Sequence, residues 1–255
     1  MKPLIPGYLA PFILTGSVVM LSIVLVGIHR ALKQAAWSRE ERNRTFWRAA
    51  FVLVGWFVVA LITSVLGLYH ATSLKTPTIQ YALLTPIVLG VVLFWRWGLL
   101  RRVIEITPSE WLVGVQLYRV LGGIFLVLYA TGYIPGFFAL PAGIGDVIVG
   151  LLAPFVAAAY ARGSDGAATT ARWWNFAGLT DLVVAVGTGF LSSPSQLQLV
   201  AFDRPNNLIS MFPLVMIPAF LVPLSVLLHF ASLYKLRHEA EVRQLSSAAL
   251  ATPRG

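Results

Sequence analysis

The sequence predicts an all-α integral membrane protein, a bundle of seven transmembrane helices, on three observations. Of its 255 residues 58% are hydrophobic and 11% charged, against roughly a quarter charged in a soluble domain, so the apolar excess calls for a solvent other than water. Apolar runs of about 20 residues, enough helix to cross about 30 Å of hydrocarbon, recur at 8–28, 47–68, 79–97, 111–131, 137–160, 173–191 and 209–234. The basic residues gather in alternate links. Barrel strands would be about half as long and would alternate polar with apolar residues.

The first span is followed by a link rich in cations, Arg30, Lys33, Arg39, Arg42, Arg44 and Arg48. Six cations behind a long apolar stretch fit an uncleaved helix with its N-terminus outside better than a cleaved signal peptide. Ser38 and Glu41 then offer a helix-start pattern for the second span. The third span carries Pro86 and ends at Arg96, with Arg101 and Arg102 in the link behind it. Ahead of the fourth, Thr107-Pro108-Ser109-Glu110 reads as a capping box with Pro at the first helical position. The uncharged "TGYIPGFF" makes the fourth and fifth spans a close antiparallel hairpin.

Arg162 and Arg172 lie between the fifth and sixth spans, and Lys235, Arg237, Arg243 and Arg254 follow the seventh. Only Lys2, Lys75 and Arg204 fall on the other side, so the N-terminus is expected outside and the C-terminus in the cytoplasm. Trp37, Trp47, Trp95, Trp97, Trp111, Trp173 and Trp174 sit at the same basic edge, as interfacial anchors do. The link from Ser192 to Leu208 has room for a short surface helix or lid. Pro213, Pro218 and Pro223 should bend the last span. Residues 1–235 thus read as one membrane domain and 236–255 as a short cytoplasmic tail that extends the last helix, with Glu239 and Arg243 spaced as a helix pair.

Three spans each carry one ionisable residue at depth: Arg119, Asp146 and Asp181. At about 1.5 Å per residue, Arg119 and Asp181 lie roughly 12 Å from the cytoplasmic edge. Asp146, entering from the other side, lies roughly 16 Å from that edge of a ~30 Å core. All three share one layer. Helical spacing puts Gln116 and Gly122 on the face of Arg119, Gly143 and Gly150 on that of Asp146, and Gly178 on that of Asp181. Small residues at these offsets let helices approach closely, so the charges are expected to face the interior.

A lone charge at mid-bilayer costs at least about 3 kcal/mol, and a facing opposite charge recovers much of it. Asp146 is therefore expected to pair with Arg119, with Gln116 nearby and Asp181 as the handle for a proton or cation. The bland alternative is an Arg–Asp pair that only fixes helix register. His70 and His229 read as interfacial groups near opposite surfaces, too far apart to share a metal. Zero cysteines exclude disulfides and thiolate metal sites. No G-x-S-x-G, H-E-x-x-H or P-loop pattern is present, so no cofactor, metal or enzymatic site is expected. The net charge of +9 follows the membrane rule and does not point to nucleic acid.

The reading that results is a small secondary transporter, proton-coupled through the Arg/Asp layer, whose partners are the bilayer, a proton or small solute, and a second copy in a homodimer. A seven-helix sensor or assembly protein without transport is the alternative. An enzyme acting on a lipid-like substrate would lack an obvious nucleophile. Arg in excess of Lys, with frequent Ala, suggests a bacterial gene and hence the inner membrane.

Overall fold

A computed structural model describes residues 4–71 and 77–251, excepting the side chains of residues 243 and 247–251. The described residues form helices and no strands. Seven helices are long and apolar enough to cross a membrane: α1 (Leu9–Gln34), α2 (Arg39–Val65), α3 (Ile79–Arg96), α5 (Ser109–Ala130), α6 (Gly136–Ala161), α7 (Ala167–Ser192) and α8, a π-turn Ile217–Leu221 that runs into the α-helix Val222–Ala251. Between α3 and α5 lies a shorter α4 (Gly98–Ile106). Lys2, Lys75 and Arg254 fall outside the described residues.

The helices alternate in direction, so the links after α1, α3, α6 and α8 collect at one end, here called the basic end. α6 is the hub, packing along α5 and α7, and α8 closes the other side. The most apolar window of α8 is 56% buried and that of α3 only 6%, which leaves most of α3, and much of α2, with an apolar surface facing outward.

Several boundaries follow the expected chemistry. The Glu41 backbone N–H donates to the Ser38 hydroxyl at 3.1 Å, and Glu40 and Glu41 place negative charge in the first turn of α2. After α5, the N–H groups of Gly132 and Tyr133 bond back to the carbonyls of Tyr129 and Leu128, both at 2.8 Å. Gly132 adopts φ +71°, which this turn requires and which a glycine accepts without strain. The hairpin between α5 and α6 is as tight as its sequence implies.

Three expectations are corrected. The residues around Arg101 and Arg102 are helical, because Val103 and Ile104 bury one face of α4 while both arginines stay exposed. Thr107 therefore ends α4, its hydroxyl donating to the Val103 carbonyl at 2.7 Å, and no capping box forms: Pro108 precedes α5 and Ser109 is bonded to Glu239. The last helix starts at Ile217, not 209. Pro213 precedes it and Pro218 and Pro223 lack the N–H groups that an α-helix would use, so its first turn is widened to π.

The long link forms no surface helix beyond the 3₁₀ turn Leu208–Ser210. It folds onto the end of α7 instead. The Asn206 N–H donates to the Ser192 carbonyl at 2.9 Å and the Ser193 hydroxyl to the Gly189 carbonyl at 2.7 Å, which satisfies the last carbonyls of that helix. α8 continues through the expected tail to Ala251. The side chain of Arg243 lies outside the described residues, and Glu239 is bonded to Ser109 and Tyr160 and paired with Lys235.

Candidate functional site

The middle of α5, Val115–Gly123, is wound as a 3₁₀ helix. Its neighbours explain why this tight segment fits: Gly150 of α6 lies so close that a Cβ there would come within 2.7 Å of the Val120 backbone nitrogen, and a Cβ at Gly122 would overlap the Asp146 carboxylate. Arg119 projects from this segment into the centre of the bundle.

Its guanidinium has five N–H groups, and each has an acceptor. Nε donates to Asp146 Oδ1 at 2.8 Å, and Nη2 reaches the same oxygen at 2.7 Å and also Asp181 Oδ2. Nη1 donates to the Gly178 carbonyl at 3.1 Å and faces His229 Nε2 at 3.3 Å. Four helices, α5 to α8, therefore meet at one cation. The sequence placed Arg119, Asp146 and Asp181 in one layer, and they touch.

His229 corrects an expectation. It is fully buried at the centre and not at a surface, because α8 starts later and runs further than its apolar run suggests, which brings residue 229 level with Gly178. Asn175 fixes its tautomer. Asn175 Nδ2 donates to the Ala171 carbonyl and the Ser232 hydroxyl, so its Oδ1 must accept from His229 Nδ1 at 2.8 Å. His229 Nε2 then keeps a lone pair for Arg119, and the imidazole is neutral. Trp174 lies against this ring, centroids 5.2 Å apart, with its indole N–H on the Val149 carbonyl. His70, in contrast, is exposed just beyond α2.

Gln116 is buried but does not join the ion cluster. Its amide is spent on Ser225, donating to the backbone carbonyl at 3.1 Å and accepting from the hydroxyl at 2.8 Å. Tyr118 donates to the Leu221 carbonyl in the π-turn at 2.8 Å. The four glycines expected at helix contacts are all there: Gly122 and Gly150 as above, Gly143 against Leu126, and Gly178 against the His229 ring and the guanidinium. A fifth, Gly145, was not singled out in the sequence. A Cβ there would overlap the Asp181 carboxylate.

With both carboxylates ionised, one guanidinium and a neutral imidazole leave the cluster one negative charge in excess. The guanidinium side chain is 2% exposed, whereas those of Asp146 and Asp181 are 15% and 14% exposed. Asp146 borders two apolar crevices. The larger, about 60 Å³, runs from Ile79, Ser193 and Ile209 at the end opposite the basic one, past Phe138, down to Asp146. The smaller, about 30 Å³, lies on the other flank between α1 and α8, and Arg119 also borders it. Asp181 borders neither of these two crevices. On the basic side of the cluster the Asn175–Ser232 bond and Trp174 are packed against His229, whereas Ser225, one turn before His229 on α8, lies toward the opposite end and borders the smaller crevice. Among the described residues no group of three or more His, Asp or Glu side chains is placed to hold a metal ion.

Residues 76–237, well over half of the chain, match the family model described as a domain of unknown function (DUF8737), and the chain belongs to that family. The matched segment contains Arg119, Asp146, Asp181 and His229 and leaves α1 and α2 outside it. No curated protein and no solved structure matches the chain.

Proposed function

We propose that this DUF8737 member is a multi-pass protein of a bacterial inner membrane, with its N-terminus outside and its basic end in the cytoplasm, and that it works as a small proton-coupled secondary transporter. The seven long apolar helices and the segregation of cations to one end support insertion in that sense. One observation carries the transport reading: an acid in excess of its bases lies at the buried foot of a crevice leading from the opposite end. Intramembrane carboxylates in such positions typically serve ion or proton pathways.

In this reading Asp146 is the exchanging group. Arg119 shares two carboxylates, so when Asp146 takes a proton Asp181 still neutralises the guanidinium, and the cluster survives both states. The packing of Asn175, Ser232 and Trp174 around His229 closes the cytoplasmic half, which corresponds to an outward-facing conformation. The π-turn at Ile217–Leu221 and the 3₁₀ segment Val115–Gly123 are the helix irregularities about which α5 and α8 would rearrange.

The packing around His229 also suits the alternative, a sensor or assembly protein that never opens to the cytoplasm. Flux separates the two. Protein reconstituted in liposomes loaded with a pH-sensitive dye should dissipate an imposed proton gradient when the exchanged solute is supplied, and Asp146→Asn should not. A folded protein that moves neither protons nor solutes would overturn the transport reading. Because the chain has no native cysteine, single cysteines at Arg39 and Phe202 would report orientation by labelling from opposite faces.

A further inference from the structure

We propose that the solute exchanged at this site is a small monovalent organic ammonium ion, an amine with a compact apolar body, which takes the place of the proton on Asp146. The inference rests on the transporter reading above and adds a substrate class to it.

Donor accounting decides the sign of the charge. Arg119 is the only cation in the cluster, and its five N–H groups are all engaged. It has no donor left for the carboxylate or phosphate of an anionic solute. The free valence is an acceptor. Both contacts to Asp146 fall on Oδ1, and Oδ2 accepts no hydrogen bond from any described residue. An ammonium N–H is the partner that would complete it and cancel the excess negative charge.

The crevice walls decide the body of the solute. A metal ion would need about six oxygens to replace its water. Besides Asp146 the only side-chain oxygens in the linings are the Ser193 hydroxyl in the larger crevice and the Tyr118 and Ser225 hydroxyls in the smaller, too few in either to replace that shell. The remaining walls include Phe125, Phe138, Leu182 and Val222. An alkyl or aryl ammonium needs one carboxylate for its head and apolar contact for its body, which these walls supply. At about 10–15 Å³ for each water-sized group, crevices of about 60 and 30 Å³ hold only a few heavy atoms.

Exchange is balanced in charge: one ammonium arrives as one proton leaves Asp146. The charged or titratable groups around that carboxylate are Arg119 and Tyr118 of α5, Asp181 of α7 and, through the guanidinium, His229 of α8. From α1 the lining residues are Phe12, Ile13 and Gly16, none of which titrates.

The test is thermal unfolding and proton release of the purified full chain in nanodiscs of zwitterionic lipid. The probes are butylammonium chloride, sodium chloride, sodium butyrate and pentanol at equal concentration. Butylammonium alone should raise the melting temperature and release up to one proton per chain. Asp146→Asn should lose both responses. Ala185→Phe, which fills the larger crevice and leaves the ion cluster intact, should lose them too. An equal response to sodium or butyrate, or a response that survives Ala185→Phe, would overturn the proposal. If butylammonium does not bind while liposomes still show Asp146-dependent proton flux, the substrate class is wrong and the transporter reading stands. If it binds without flux, the ligand class stands and the transporter reading falls.

Discussion

At the centre of the bundle Arg119 gathers two carboxylates. At the basic end a carboxylate, Glu239, gathers the Ser109 and Tyr160 hydroxyls and the Lys235 ammonium. Both clusters tie α8 to α5 and α6, yet their balance is opposite. At the basic end the donors come from several side chains: Lys235 also reaches the Glu105 carbonyl and Tyr234 donates to Glu105 at 2.7 Å. Its Glu239 side chain is 26% exposed, so water can stand in for a lost partner. The central cluster has one cation, fully spent, and a surplus of acid shut between helices. The first arrangement fastens helices. The second fastens them and leaves an acceptor over, which is what a binding site needs.

Removing the central cation should have the largest effect. Arg119→Gln leaves two buried carboxylates facing each other and should cost about 3–5 kcal/mol, enough to abolish a stable fold in detergent; monodispersity and melting temperature read this directly. Next in size is Gly150→Val. Its neighbour is the backbone of α5, which cannot swing aside as a side chain can, so about 1–3 kcal/mol of overpacking is expected in a thermal melt. Glu239→Gln should cost about 1 kcal/mol, since the single amide oxygen keeps one of the two hydroxyl donors, Ser109 or Tyr160, and water at this partly exposed site serves the other. The smallest effect belongs to the exposed Glu40–Arg44 pair at the start of α2, side chains 79% and 60% exposed, where Glu40→Gln should leave the melting temperature unchanged. An Arg119→Gln protein as stable as Glu239→Gln would erase the contrast between the two clusters.

Much of this was legible in the sequence for a physical reason. Depth is nearly linear in residue number along a helix, so Arg119, Asp146 and Asp181 could be placed in one layer by counting, and the glycines at offsets of three and four residues said which way they point. His229 was not found because the last span was bounded by where its apolar run stops, and Asn175 was not because the sixth span was started at Trp173, whereas α7 begins at Ala167. α8 instead continues as helix beyond Tyr234, with Leu236 still buried. The prolines at 213, 218 and 223 carried the missing signal, since a helix entered through them starts late. α4 was also readable: Leu100, Val103 and Ile104 against Arg101 and Arg102 form an amphipathic face, but nine residues are too few to register as a span. The 3₁₀ winding around Arg119 has no local propensity behind it beyond Gly122 and Gly123, and it comes from the close approach of α6.

Whether the site holds one carboxylate more than its guanidinium needs can be measured by a double-mutant cycle on the acids. Melting temperatures would be compared for Asp146→Asn, Asp181→Asn and the two together, in one detergent. Each single change should stay within about 1 kcal/mol of the parent, because either acid alone neutralises Arg119. The double change should fall by several kcal/mol, because it strands a buried cation. Single changes as damaging as the double would contradict that surplus, and would make both acids structural partners with nothing left over to bind.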